Sequence, residues 1–369
     1  MKRRLIFWLL LFVAIAVVYL QPVFFPRQAP AYDTQTNKDV SQTSLKYKPI
    51  KVSGYAEFIG KSSSELTNIL GKPLVSYDSG FGYRVNTYQS EDKTNYIAAN
   101  IRNGKVAAVK VAGNDDQHTA PFKSKMTMND LTNVTMLYPN FSLDYNGEKI
   151  QFELMEEDMN YRPLVAFTND TFAILFFNQK KSQLVGITYL DKQMLLELAP
   201  YTSIEGQLPQ VRKTQLTDWD EVNRLKETSS FDLLNVLRKL ENREAYTTNF
   251  TLQGRADDIN VDFLKEPQKY LNEERFKQFE RMKDVANPQP FLIVSDEFDQ
   301  MLKTMKIPAV SGFYYRPMVD TMFQIMSFYS DPYLHTRFLS EGQQKVGVGI
   351  DEDNMVILIE DTEETEDSE

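Results

Sequence analysis

The sequence predicts an α+β protein: an N-terminal transmembrane helix, a domain holding two copies of a helix-plus-antiparallel-sheet unit, and a mostly helical second domain closed by a strand pair. Three observations carry this. An uncharged apolar run from Leu5 to Phe25 follows three basic residues. The string Leu66-Thr67-Asn68 recurs as Leu131-Thr132-Asn133, each time ahead of strand-like segments. From about residue 228 onward, apolar residues fall at helical spacing before a final pair of strands.

The apolar run is about the 20 residues that a helix needs to cross a bilayer. Lys2, Arg3 and Arg4 should hold the N-terminus on the cytoplasmic side, leaving the rest of the chain outside. The run ends in Tyr19, Pro22, Phe24 and Phe25, with no small-residue cleavage site. We therefore expect a retained single-pass signal-anchor over 1–26 rather than a removed signal peptide. Residues 27–53 are polar, rich in Gln, Thr, Ser and Lys, and read as a flexible linker. The 369 residues, 42% of them hydrophobic, suffice for two domains each burying its own core. A net charge of −10 works against phosphate-backbone binding, so no nucleic-acid partner is expected. With no cysteine, disulfides, cysteine zinc sites and thiol catalysis are excluded.

Residues 54–201 contain the two copies. SSSELTNIL and TMNDLTNVT read as short helices, the first with Ser62 or Ser63 as cap and Glu65 placed for a capping box from Ser62. GYRVNTY, NYIAANI and KVAAVKVA follow the first; KIQFELM, FAILFF and QLVGITYL follow the second. Asn103-Gly104 is a tight-turn signal between two of these strands. Tyr83, Tyr88, Tyr96, Phe172, Phe176 and Phe177 read as core residues, not a ligand box. His118, in the turn-rich GNDDQHTAPF, reads as an exposed loop residue, because metal sites need three or four convergent ligands and no second histidine accompanies it. GKSSSELTNILGKPLVSYDSGFGYRVNTY with YIAANIRNGKVAAVKVAG resembles the N-terminal CAP-associated domain of Gram-positive envelope proteins, a resemblance that implies no catalytic residues.

Gly206, Pro209 and mixed charges mark 202–227 as a linker. The second domain, 228–359, opens with FDLLNVLRKLENREAY, whose Phe231, Leu234, Leu237 and Leu240 share a helix face with Asp232 in the first turn. Tyr270, Phe276, Phe279 and Met282 form the stripe of a second helix, DEFDQMLKTMKI is a third and MVDTMFQIMSFY a fourth. KVGVGID and MVILIED then pair through a turn at Asp353-Asn354. Residues 360–369 read as an acidic disordered tail.

FDLLNVLRK and HTRFLSEGQQKVGVGI, with His335, Leu339 and Gly347-Val348-Gly349, resemble the opening helix and the histidine segment of the CAP superfamily, the cysteine-rich secretory, antigen and pathogenesis-related proteins. The resemblance implies an α-β-α sandwich and a cleft where two histidines and two glutamates can hold a divalent metal. Only His335 carries over. Phe313 follows Gly312 where a glutamate is due, and the helix before His335 offers Asp320 and no glutamate. The CAP-like domain is thus degenerate, with His335, Phe313 and Asp320 as cleft candidates, no catalytic residue, no metal and no cofactor. GxSxG, HExxH and P-loop patterns are absent from the sequence. The expected role is non-catalytic binding or assembly by a membrane-anchored envelope protein, its partner another envelope protein or the cell wall. The alternative is an extracytoplasmic hydrolase acting on cell-wall or peptide substrates through an unidentified site.

Overall fold

The computed structural model describes residues 47–113, 115–215, 218–281, 290–308, 310–338 and 344–361. The expected membrane anchor, most of the 27–53 linker, Met282, Leu339 and the tail beyond Asp361 lie outside the described residues. Among the described residues, no helix is long and apolar enough to cross a membrane.

The first half begins with a 3-10 turn at Gly54–Glu57, then α1 (Ser63–Leu70), β1 (Val75–Asp78), β2 (Arg84–Gln89), β3 (Asn95–Arg102) and β4 (Lys105–Gly113). The second copy runs α2 (Met128–Val134), β5 (Asn140–Tyr145), β6 (Glu148–Glu153), α3 (Glu156–Tyr161), β7 (Leu164–Ala166), β8 (Phe172–Phe177), β9 (Leu184–Leu190), α4 (Lys192–Leu198) and β10 (Thr202–Glu205). Ser62 caps α1 through the Ser64 amide, not through a capping box with Glu65; the box forms instead on α2, between Thr127 and Asp130. Asn103 and Gly104 both have positive φ, at 50° and 75°, as a type I′ turn requires.

Seven strands make one antiparallel sheet in the order β1-β2-β3-β4-β9-β8-β7. The two copies meet in its middle, where β4 pairs with β9 from Ala108↔Leu190 to Ala112↔Gly186. KIQFELM departs from expectation. Its strand, β6, lies in a separate three-stranded sheet ordered β10-β6-β5, and the short β7 takes the outer place in the large sheet. Burial explains the difference: Ile150 and Phe152 alternate with exposed or half-exposed neighbours on β6, a one-faced pattern, whereas every residue of β8 and β9 is buried.

The second half comprises α5 (Trp219–Leu240), β11 (Thr247–Thr248), α6 (Phe250–Lys265), α7 (Glu273–Arg281), β12 (Phe291–Ile293), α8 (Ser295–Met305), β13 (Ser311–Arg316), α9 (Thr321–Ser330), a 3-10 turn at His335–Phe338, β14 (Gln344–Asp351) and β15 (Asn354–Asp361). The β14–β15 turn falls at Glu352-Asp353, one residue earlier than expected, with Asp351 paired to Asn354. Helix α5 starts twelve residues before Phe231, capped by Asp218, so Asp232 is not in its first turn. It therefore takes up residues 219–227 of the segment expected to be a linker, whose first residues, Thr202–Glu205, are β10. Trp219 lies edge-on to Phe81 at 5.8 Å, over Gly80, whose positive φ and missing side chain leave room for the indole. The other expected linker is also tied down at its end: Tyr47 stacks on Phe141 at 4.8 Å, and Ile50 exchanges backbone hydrogen bonds with Ala166 and Thr168.

The five-stranded sheet β11-β14-β15-β13-β12 separates two cores. On one face Phe263, Phe279, Phe298 and Tyr314 pack with α6, α7 and α8. On the other, Val348 and Ile357 pack against Leu234 and Leu237 of α5 and Met326 of α9. This second core continues without a break into Tyr83, Ala98, Ile174 and Phe176 of the large sheet, so the two halves do not keep separate cores. The opposite face of the large sheet packs Val109, Val111 and Leu175 under Leu66 of α1 and Leu131 of α2. The α-β-α sandwich is thus extended by a fourth and fifth layer, the large sheet and its helices.

Glycines decide how close α6 comes to β14. A Cβ at Gly347 would fall 2.5 Å from the Leu252 carbonyl oxygen, and one at Gly349 the same distance from the Ala256 carbonyl carbon. At that separation side chains finish the outer edge of β14 beyond β11. Gln253 accepts from the Val348 amide and donates to its carbonyl, Glu227 accepts from the Ile350 amide and Asn223 from that of Glu352.

Candidate functional site

Asp320, Phe313 and His335 do not converge. Asp320 caps α9, accepting from the Phe323 amide at 3.0 Å. His335 follows the other end of that ten-residue helix, roughly 15 Å away by the helical rise.

At the Asp320 end, the free carboxylate oxygen faces the large sheet. It meets the Lys110 ammonium in a salt bridge, accepts from the Asn100 amide at 2.7 Å and from the Tyr83 hydroxyl at 3.2 Å. Lys110 also donates to the Asn100 side-chain oxygen at 2.6 Å. Burial alone would raise the Asp320 carboxyl, but Lys110 and Asn100 outweigh it and hold it below the usual carboxylate range. Beside this network is a cavity of about 20 Å³, room for a water molecule and not a substrate, bordered by Tyr77, Tyr96, Ser229 and Lys226. Burial pulls the Lys226 ammonium down to about 7, against the opposing pull of Asp320 and Asp353. Its charge rests on the rings of Phe81 and Trp219, at 4.8 and 5.2 Å.

The His335 end is aromatic. Phe313, fully buried on β13, lies edge-on to Phe328 at 4.9 Å and to Phe338 at 6.1 Å. His335 is 2% exposed, edge-on to Tyr329 at 5.1 Å, with Nδ1 hydrogen bonded to the Tyr329 carbonyl at 2.5 Å. Burial lowers its pKa, so the ring is neutral near pH 7 and Nδ1 is the donor. Nε2 is buried and has no hydrogen-bond partner among the described residues. The region aligned with the family cleft is therefore filled by rings. Among the described residues, no three His, Asp or Glu side chains are grouped to hold a metal ion.

His118 is not the exposed residue expected. It is half-buried, with Nδ1 3.1 Å from Asp115, whose other oxygen accepts from the Tyr55 hydroxyl at 2.5 Å. The six aromatics read as core are all buried. Sequence reasoning missed Lys110 and Lys226. The signal for Lys110 was present: KVAAVKVA has a second lysine, Lys105, at its exposed start, but Lys110 is in the interior of the strand, on the face it shares with Ala108 and Ala112.

Comparison with known proteins fits this architecture. Residues 59–201 match the CAP-associated N-terminal family. That segment is a CAP-associated domain. A cysteine-rich secretory protein from Staphylococcus aureus aligns over 85% of this chain and 97% of its own, with a TM-score of 0.65 and 19% identity. An extracellular protein containing an SCP domain from Bacillus anthracis aligns over 89% and 99%, with a TM-score of 0.62 and 22% identity. These likenesses extend the CAP fold to the second half, behind the CAP-associated domain. The uncharacterized membrane protein YlbC of Bacillus subtilis (strain 168) is 29% identical over 187 residues, 50% of this chain; the chain spans about half the length of that relative, 53%. Here the large sheet of the CAP-associated domain covers α5 and α9, and Lys110 reaches across to Asp320.

Proposed function

We propose that the protein is a membrane-anchored, extracytoplasmic component of the bacterial cell envelope that acts by binding and assembly, not catalysis. The observation that carries this reading is the state of His335. The one histidine of the CAP-like half is buried edge-on to Tyr329 and tied to its backbone carbonyl, while Asp320 is spent on Lys110. Neither side chain is left to meet a substrate, and general acid-base or metal-assisted hydrolysis needs such groups within hydrogen-bond reach of it. The anchor is supported by the apolar run behind Lys2, Arg3 and Arg4, and by the membrane and extracellular descriptions of the B. subtilis and B. anthracis proteins.

The absence of cysteine makes topology testable with one substitution. Lys303→Cys, exposed on α8, should react with a membrane-impermeant maleimide in intact cells. Reaction only after lysis would overturn the extracytoplasmic assignment. Crosslinking in intact cells should yield discrete protein or wall adducts. Hydrolysis of wall or peptide substrates that disappears in a folded His335→Ala protein would overturn the non-catalytic reading.

A further inference from the structure

A cavity larger than the one beside Asp320 lies away from the CAP-like cleft. A groove of about 460 Å³ lies between the β5–β6 turn and the segment that follows β10. That volume is within the roughly 300–1,000 Å³ of small-ligand sites.

Both walls are fixed. Asn146 and Gly147, with φ of 50° and 83°, form a tight two-residue turn between the paired Tyr145 and Glu148. Lys192 supports the strand below by donating to the Asp144 carbonyl at 3.0 Å. Opposite, Gly206 takes φ of 87° and lies so close to β6 that a Cβ would sit 2.6 Å from the Lys149 carbonyl oxygen. Leu208 is buried just after it, anchoring the second wall.

The chemistry of the lining selects among ligands. Tyr145 offers a half-buried ring, while Gln207, Gln210 and Arg212 are exposed from the facing wall and Glu148 from the turn. One carboxylate and one guanidinium cancel, which disfavours a strongly charged ligand. Two carboxamides, each donor and acceptor, disfavour an apolar one. A neutral chain dense in hydroxyls satisfies both: its C–H faces lie on the aromatic ring, and its hydroxyl pairs bridge amide, guanidinium and carboxylate.

We propose that this groove binds an oligosaccharide, with Tyr145 as the stacking platform and Gln207, Gln210 and Arg212 as the hydrogen-bonding wall. The geometry stands by itself; only the expectation that a polysaccharide is within reach rests on the extracytoplasmic reading.

The test is calorimetric titration of the full chain in detergent with two soluble probes, chitotetraose and maltotetraose. At least one should bind. Gln210→Ala and Arg212→Ala, both on the surface, should each weaken binding by roughly tenfold without moving Tm, and Tyr145→Ala by more. Tyr145→Phe should keep most of the affinity, because the ring face remains. Binding of neither probe, or equal binding by the wild type and Arg212→Ala and Tyr145→Ala proteins, overturns the site. Either result leaves the maleimide labelling of Lys303→Cys unchanged, so failure of the groove and failure of the topology are distinguishable.

Discussion

The ammonium of Lys110 and the carboxylate of Asp320 are in direct contact across the two halves of the chain, with side chains only 1% and 2% exposed. A pair so deeply buried is costly to break from one side, because the charge left behind keeps no water. Asp320→Ala should destabilise the protein by about 3–5 kcal/mol in urea denaturation, and it also removes the cap of α9. The double variant Lys110→Met with Asp320→Leu should recover part of that loss. Because the core is shared, unfolding should be one transition by every probe; two separate transitions would contradict this packing.

His335→Ala tests the aromatic end. Removing a buried ring that makes one hydrogen bond should cost about 1–3 kcal/mol. There is also a pH signature. The pKa is lowered by burial, so the unfolded chain binds this proton more readily than the folded protein. Its contribution is present above the ordinary histidine pKa and is lost as pH falls through the folded value. The substituted protein should therefore lose less stability than wild type on acidification below about pH 6.5, the ordinary histidine value, as read from Tm against pH.

Glu227 gives the opposite slope. Burial, together with neighbouring Asp257, raises its carboxyl to about 8. The folded protein keeps a proton that the unfolded chain releases near 4.5, so this contribution is full below that pH and declines up to about 8. Glu227→Gln, which stays neutral, should flatten the decline in Tm measured between these values.

Two glycine substitutions should differ in sign. Gly349→Ala drives a methyl into the backbone of α6 and should cost about 1–3 kcal/mol or more. Gly254→Ala, within α6 and with nothing within 4 Å of the added carbon, should stabilise by about 0.4–1 kcal/mol. Thermal denaturation of the two variants checks both.

Much of the fold was legible where one pattern dominated. Asn103-Gly104, the alternation in KVAAVKVA and the glycines of GVG each reflect a local demand that no distant residue can override. Asn146-Gly147 carried the same turn signal and would have located one wall of the groove. Helix α6 was missed although Asn249 caps it and Leu252, Ala256, Ile259 and Phe263 lie on one buried face. The start of α5 was hidden because its first turns are polar; they become helix by packing Trp219 and Lys226 against Phe81 in the β1–β2 connection. The fate of Asp320 was illegible for a different reason. Its partner is 210 residues away, and only the docking of the two halves brings them together.

The side-chain finish on the outer edge of β14 has a consequence for behaviour at high concentration. An open strand edge is a template that an identical chain can extend. Here the amides of Val348, Ile350 and Glu352 are already answered by Gln253, Glu227 and Asn223. Two copies crowded side by side would find no free ladder to zip along this border, so strand-to-strand growth is blocked here.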